Sequence, residues 1–259
     1  MVNRKLSVLF AFIAVVFSYG GGVAYPLTPV PSARFATAIS YDMYGGYLYK
    51  PSISGATVTL QGFNASFTYS PITFINFGFD LGERNVKIFT HDEQYRFDGK
   101  IGFAGGTHAK FATPYFNELI GVVGFVRALW FSSETKNETY YGGMDFTGAG
   151  GLSFRVKNFG YISLGAKYFE IVGKNGEVSG TQSGSWGNED VFGGWVSFDM
   201  FPKIPVRKHI PFFSIELCLF PGADAFDGTK PAIRNASFNL TIGAITNRLY
   251  GNSDKDWTP

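Results

Sequence analysis

The chain has 259 residues, a formal net charge of +2, one cysteine, 33 glycines, 28 phenylalanines and 14 tyrosines. The single cysteine excludes an internal disulfide framework, and the near-neutral charge argues against nucleic acid, which requires a concentrated basic face. Glycine is a poor helix former and aromatic residues favour strands, so the composition predicts an all-β protein with much aromatic surface.

The start of the chain has the pattern of a cleaved signal peptide. Basic residues at 4–5 precede an apolar run over 6–17, and small residues at 22–24 precede Tyr25. The apolar run is shorter than the ~20 residues that a membrane-spanning helix needs. The sequence therefore predicts a signal peptide over 1–24, with cleavage before Tyr25 and export of the remaining chain.

Apolar and polar residues alternate with a period of two through the rest of the chain, which predicts strands with one apolar face. In chain order, the candidate strands cover 34–42, 57–70, 73–82, 98–112, 119–132, 142–156, 160–171, 189–201, 211–220 and 234–250. Most of them reach the ~9–11 residues of a tilted membrane strand. The alternation changes phase near Gly62, which predicts a bulge or a split strand there.

The predicted connections alternate between short and long. Short turns are predicted at 71–72, 113–118 and 157–158. Longer polar loops are predicted at 43–56, 83–97, 133–141, 172–188 and 221–233. Short turns at one end and long loops at the other are typical of barrels that span an outer membrane.

Three features together resemble a bacterial outer-membrane β-barrel protein. They are the alternating strands, the turn Tyr69-Ser70-Pro71-Ile72, and the final strand of Leu240, Ile242 and Ala244 ending at Tyr250. The resemblance implies a closed antiparallel transmembrane β-barrel of about ten strands, within about eight to twelve, over residues 25–250. It also implies a lipid bilayer and the barrel-assembly machinery as partners. The pattern departs from that class at its end, because a short tail over 251–259 follows Tyr250.

If the apolar face of each strand contacts lipid, the opposite face lines the lumen. The predicted lumen-lining residues are Asp80, Lys100, His108, Lys110, Arg127, Asp145, Arg155, Lys167, Asp199 and Glu216. So many charges on strand interiors are stable only where they meet water or each other. Two interpretations stay open: a narrow polar pore that admits small solutes, or ion pairs that fill the interior.

Aromatic residues near the ends of the predicted strands form a second candidate set. On the lipid-facing phase, these are Tyr41, Tyr69, Phe111, Trp130, Tyr168 and Phe213. Outer-membrane barrels carry aromatic girdles at the level of the lipid headgroups, so we predict that these six residues belong to such girdles.

No catalytic or metal-binding pattern emerges. None of the three histidines forms a convincing acid–base site. His91 adjoins Asp92, but adjacent residues on a strand point to opposite faces; His108 lies near Lys100 and Lys110, and His209 belongs to a basic turn. Asp224 and Asp227 lack calcium-loop spacing, so no metal or cofactor is expected. The expected function is a non-enzymatic outer-membrane barrel, porin-like or structural, with five extracellular loops. The alternatives are a secreted β-sandwich adhesin or binding module, and a barrel-embedded lipid or peptide hydrolase; the oligomeric state stays open.

Overall fold

The computed structural model describes residues 34–49, 56–72, 75–90, 96–113, 116–117, 119–134, 139–156, 160–177, 184–189, 191–201, 209–221 and 235–246. Its strands are β1 Arg34–Tyr49, β2 Ala56–Ile72, β3 Ile75–Thr90, β4 Arg96–Asp98, β5 Gly102–Ala112, β6 Ile120–Glu134, β7 Thr139–Val156, β8 Gly160–Glu177, β9 Gly184–Asn188, β10 Phe192–Met200, β11 His209–Phe220 and β12 Asn235–Thr246. The predicted signal peptide and C-terminal tail lie outside the described residues. Within the described ranges, no helix has the length and apolar character needed to cross a bilayer.

All the strands belong to one antiparallel sheet that closes on itself. Ten strands form the ring, in the order β1, β2, β3, β5, β6, β7, β8, β10, β11 and β12. The last strand returns to the first, so that Ala36 lies opposite Ile245 and Gly45 lies opposite Ala236. This closure confirms the predicted barrel and its strand number. The two-sheet sandwich is therefore wrong.

The two remaining strands extend the wall at the end of the barrel where the long loops are predicted. β4 pairs with β3 and continues the line of β5, while β9 pairs with β8 and continues the line of β10. β9 also pairs directly with β1, with Leu48 opposite Asn188. This pairing passes beyond the ends of β11 and β12, at Phe220 and Asn235, so the wall there is two strands narrower.

Several strands continue into segments that the pattern predicts as loops. β1 continues past residue 42 to Tyr49, β3 past residue 82 to Thr90, and β8 past residue 171 to Glu177. The loop predictions are therefore wrong over these parts of the chain. On β3 the cause is a reversal of polarity, because Glu83, Asn85 and Lys87 take the outward positions that apolar residues hold earlier in the strand. On β1, Gly45 and Gly46 interrupt the alternation instead.

Strand β2 shows this reversal. On its short-turn half, the inward side chains are the polar Asn64, Ser66, Thr68 and Ser70. On its other half, the inward side chains are the apolar Ala56, Val58 and Leu60. The outward side chains there are Thr57, Thr59 and Gln61. The phase change at Gly62 is neither a bulge nor a split, because the pairing with β1 and β3 runs unbroken through it.

The reversal divides the barrel into a membrane-spanning part and a water-facing part. In the first part, outward apolar residues are exposed on nine strands: Phe63, Phe77, Phe111, Val126, Leu152, Leu164, Val196, Leu217 and Ile242. A water-soluble protein rarely exposes so large an apolar patch, whereas a membrane barrel requires one. The second part, here called the collar, includes 44–49 of β1, 56–61 of β2, 85–90 of β3, β4 and β9. Its outside is mostly polar and its inside is apolar, as in a water-soluble barrel.

Candidate functional site in the barrel interior

The interior consists of three layers. An apolar cap fills the collar and includes Tyr44, Leu48, Val58, Leu60, Val86, Ile88, Phe131, Tyr141, Phe169, Ile171, Trp186 and Phe220. An apolar base lies toward the short turns and consists of Ala36, Ala38, Tyr161, Phe201, Phe212 and Ile245. Buried charged and polar side chains lie between the two and form the charged layer.

Asp42 on β1 is the centre of the charged layer. Its Oδ2 accepts a hydrogen bond from Arg127 Nη1 at 3.1 Å and lies 3.4 Å from Arg84 Nη2. The side-chain amides of Asn64 and Asn239 also donate to its carboxylate. Donors from β2, β3, β6 and β12 therefore converge on one carboxylate and connect distant parts of the wall.

Asp145 on β7 is the second acceptor for the same two guanidinium groups. Arg84 Nη1 donates to Asp145 Oδ2, and Arg127 Nη2 lies 3.8 Å from Asp145 Oδ1. Together with Asp42 these residues form a ring of two acids and two bases, and no side chain in the ring is more than 14% exposed. Buried charges persist where such pairing compensates for lost hydration.

A second ion pair lies beside this ring. Lys167 Nζ on β8 donates to Glu216 Oε1 on β11 at 2.7 Å and to Ser237 Oγ at 3.1 Å. Between the pair and the ring lies a cavity of about 30 Å³, lined by Asp42 and Arg127 among others. A cavity of this size holds one or two water molecules and no larger solute.

We expect the Lys167–Glu216 pair to respond differently to single and double replacement. Lys167→Met should lower the free energy of unfolding by about 3–5 kcal/mol, because it leaves a buried carboxylate without its cation. Adding Glu216→Leu should restore most of that loss, because a buried ion pair can be replaced by apolar residues at little cost. Urea unfolding in lipid vesicles measures both values. If the double variant is no more stable than the single one, the pair is not an isolated unit.

His108 on β5 has a partner at each ring nitrogen. Nδ1 lies 3.1 Å from Asp80 Oδ2, and Nε2 lies 3.0 Å from Thr68 Oγ1. Residue spacing predicts no carboxylate beside His108, but the pairing of β3 with β5 brings Asp80 next to it. The order hydroxyl, imidazole, carboxylate is also that of a nucleophile, its base and an orienting acid. All three side chains are buried, with at most 5% exposure.

Aromatic rings cover the charged layer. The ring of Tyr44 lies 4.6 Å from that of Phe169 and 6.0 Å from that of Phe220, measured between centroids. These residues come from β1, β8 and β11, so their rings meet across the lumen. A second ring group, centred on Tyr141 and Trp186 at 5.6 Å, fills the collar further out.

The structure places most of the predicted lumen residues in the charged layer. Those buried in the interior are Asp80, His108, Lys110, Arg127, Asp145, Lys167, Asp199 and Glu216. Arg155 is half-buried toward the short-turn end of β7. Lys100 is exposed and lies in the connection between β4 and β5, so it does not line the lumen. The interrupted strand explains the difference, because alternation cannot be followed through that connection.

Two central residues, Asp42 and Arg84, are missing from the predicted set. Each shares the inward phase of its strand, Asp42 with Ser40 and Arg84 with Asp80. Asp42 is the last residue of the predicted strand 34–42, so its inward phase alone would have included it. Arg84 lies one inward position beyond the predicted strand end at 82, where polar outward residues follow, so continuing the phase by one position would have included it.

The predicted girdle residues all lie on the outward phase of their strands, in two groups. Toward the short turns lie Tyr69, Phe111 and Phe213. Toward the collar lie Tyr41, Trp130 and Tyr168. This arrangement agrees with one girdle at each membrane surface, and their depth in a bilayer stays a prediction.

No known protein family matches the chain. No curated protein matches it either. Among solved structures, it is similar to the translocator domain of the autotransporter NalP from Neisseria meningitidis, with a TM-score of 0.49, 7% identity, and 94% of this chain and 95% of that chain covered. It is also similar to the outer membrane protease OmpT from Escherichia coli, with a TM-score of 0.43, 8% identity, and 84% and 97% covered.

A third similar structure is Ail, the attachment invasion locus protein of Yersinia pestis, with a TM-score of 0.35, 12% identity, and 83% and 98% of the two chains covered. The closed sheet and the apolar exterior of the chain itself decide its fold class. The fold is that of the bacterial outer-membrane β-barrels.

Proposed function

We propose that this chain is a non-enzymatic integral protein of the bacterial outer membrane that acts through its outer surface and not through a pore. In this proposal, a signal peptide over 1–24 directs export, and the barrel-assembly machinery inserts the barrel. The short turns then face the periplasm. The collar and the five long loops face the surroundings of the cell.

The observation that carries this proposal is the cap. Rings of Tyr44, Phe169 and Phe220 meet across the lumen, and the wall beyond them is two strands narrower than the membrane-spanning part. A barrel of about eight strands is only wide enough for side chains to fill its interior. The narrowing therefore favours a plugged lumen over the porin-like alternative with small solutes as cargo.

A barrel-embedded hydrolase is the second candidate, and the hydrogen-bonded series Thr68, His108 and Asp80 is what favours it. Against it, the three residues are buried beneath the cap, so a substrate would have to displace the cap rings. His91 lies outside the described residues. We expect wild-type and His108→Gln barrels to release equal background amounts of fatty acid and peptide from lipid and protein substrates. Hydrolysis that disappears in His108→Gln would overturn the non-enzymatic assignment.

The proposal is tested by protease cleavage on intact cells. One variant carries an inserted protease site in the segment between β11 and β12, and the matched control carries the same site after Asn117, in the exposed turn between β5 and β6. We expect the first site to be cut on intact cells, and the second only after the outer membrane is opened. Cleavage in the opposite order would contradict the orientation. A soluble protein without a heat-dependent gel shift would contradict membrane insertion.

A further inference from the structure

We propose that a groove on the outer wall of the barrel binds the sugar headgroup of a membrane glycolipid. The groove has a volume of about 250 Å³ and lies on β1, β2 and β3 beside the start of β5. Its apolar lining is Tyr41, Phe63 and Ile101, and its polar side chains include Gln61, Glu83 and Asn85. The groove lies at the edge between the apolar band and the collar. The proposal rests on the proposed function only for the assignment of the groove to the outer leaflet.

Glu83 is the residue that most requires a ligand. It lies opposite Phe63 on β2 and opposite Phe103 on β5, so its half-buried carboxylate lies between two outward aromatic residues. Within the described part of the chain, no ion pair or hydrogen bond reaches this carboxylate. A charged group at the edge of the lipid is costly unless donors satisfy it.

The neighbouring amides complete a set of polar groups. Asn85 Nδ2 donates to the Gly99 carbonyl, whereas Asn85 Oδ1 is buried and has no partner among the described residues. Gln61 Oε1 accepts a hydrogen bond from Tyr41 Oη at 3.3 Å, which leaves Gln61 Nε2 to donate to a ligand. The groove thus offers acceptors and a donor beside aromatic rings.

Sugars match this combination better than other headgroups do. Each sugar hydroxyl both donates and accepts, so adjacent hydroxyls can satisfy Glu83 and Gln61 together, while the apolar face of the ring packs on an aromatic side chain. The Glu83 carboxylate would repel a phosphate. The neighbouring cations would not offset this repulsion, because Arg84 turns inward to Asp145 and Lys87 lies 3.1 Å from Asp98. An ammonium group would leave Gln61 Nε2 without an acceptor.

The position of the groove favours a lipid over a free sugar. Phe63 and Phe103 border it and are 52% and 67% exposed on the outside of the barrel. Acyl chains of a bound lipid can therefore follow the apolar band while the headgroup reaches Glu83. A free sugar would gain only the polar contacts.

Native mass spectrometry of the purified full-length barrel in detergent tests the proposal. The probes are monoglucosyl diacylglycerol, which has an uncharged sugar headgroup, phosphatidylethanolamine and free glucose. We expect one glucosyl lipid per barrel, with weaker binding of the other two. Glu83→Gln combined with Asn85→Leu should weaken glucosyl-lipid binding by about tenfold or more, because hydrogen bonds to a charged group and to a buried acceptor are lost.

Glu170→Gln is the matched control. Glu170 is also a half-buried outward glutamate at the collar edge, but it lies on β8 and accepts a hydrogen bond from Tyr168 Oη. Its replacement should leave glucosyl-lipid binding unchanged. The proposal is overturned if the Glu83 variant binds the glucosyl lipid as well as the wild type does, or if phosphatidylethanolamine or free glucose binds as tightly as the glucosyl lipid.

The gel shift between unheated and boiled samples distinguishes failure of the groove proposal from failure of the proposed function. A wild-type barrel without the shift would contradict membrane insertion, whereas a shifted barrel without glycolipid binding would contradict only the groove. If the Glu83 double variant does not fold, Gln61→Ala decides the matter. It should still weaken glucosyl-lipid binding severalfold, because the groove loses its donor; unchanged binding would overturn the proposal.

Discussion

Replacement of Asp42 by alanine should lower the free energy of unfolding of the barrel by about 3–5 kcal/mol. The variant leaves Arg84 and Arg127 buried with Asp145 as their one remaining acid in the ring. It also removes the acceptor of Asn64 Nδ2 and Asn239 Nδ2. Urea unfolding in lipid vesicles, followed by tryptophan fluorescence, measures the change.

Asp98→Ala is the control for this experiment. Asp98 pairs with Lys87 at 3.1 Å on the outside of the barrel, where the two side chains are 48% and 34% exposed. Exposed ion pairs contribute about 0–1 kcal/mol, so this variant should be nearly as stable as the wild type. If Asp42→Ala and Asp98→Ala lower the free energy of unfolding equally, the buried ring is not the electrostatic centre of the barrel.

Removal of rings from both groups of the cap should convert a closed barrel into one that leaks small solutes. The variant combines Phe169→Ala, Phe220→Ala and Trp186→Ala. The first two replacements remove the rings that contact Tyr44, and the third removes the ring that contacts Tyr141 in the outer group. Water that enters this space would reach the charged layer. Release of a small dye from vesicles measures the leak, and the gel heat shift shows that the variant is folded.

An outward variant controls for the lost aromatic volume. Phe63→Ala, Phe77→Ala and Trp130→Ala remove the same kinds of ring from the lipid-facing side, where all three are exposed. This variant should remain closed. Phe169→Ala alone should also remain closed, because the rings around Tyr141 and Trp186 still fill the collar. A folded cap variant that retains its dye would show that the rings do not seal the lumen.

The membrane-spanning part of the fold could be predicted from the sequence because its signal is local. In β12, Phe238, Leu240 and Ile242 alternate with Asn239 and Thr241, and most strands of the ring repeat that contrast, whereas β6 also has apolar residues such as Phe125 and Leu129 on its inward face. The collar could not be predicted in the same way. Its strands carry polar residues outward, so that the chain beyond residue 82 looks like a loop while its inward residues are apolar.

The charged layer could be predicted as a set of residues but not as a set of contacts. Asp42 is separated by 103 positions from Asp145, and the two share Arg84 only because the sheet closes and β1, β3 and β7 face one lumen. The partner of His108 follows from the register of β3 against β5. Register and closure depend on the whole sheet, and no local pattern of residues specifies them.

The narrowing of the collar has the same origin. It requires that β9 reach β1 beyond the ends of β11 and β12, which the lengths of the strands determine together. Strand ends are the part of a β-barrel that alternation predicts least well, because the outward polarity changes there. The plugged lumen was therefore one of two open interpretations from the sequence, and the cap is what favours it.

Planar-bilayer conductance of the purified wild-type barrel is the most direct test of the plugged lumen. The full-length protein, shown to be folded by its gel heat shift, is inserted into the bilayer. Current is then recorded at applied voltages of both signs. The filled cap and the small cavity below it predict no steady channel above the baseline of the bilayer. A stable open channel of reproducible conductance in the wild-type protein would contradict the account.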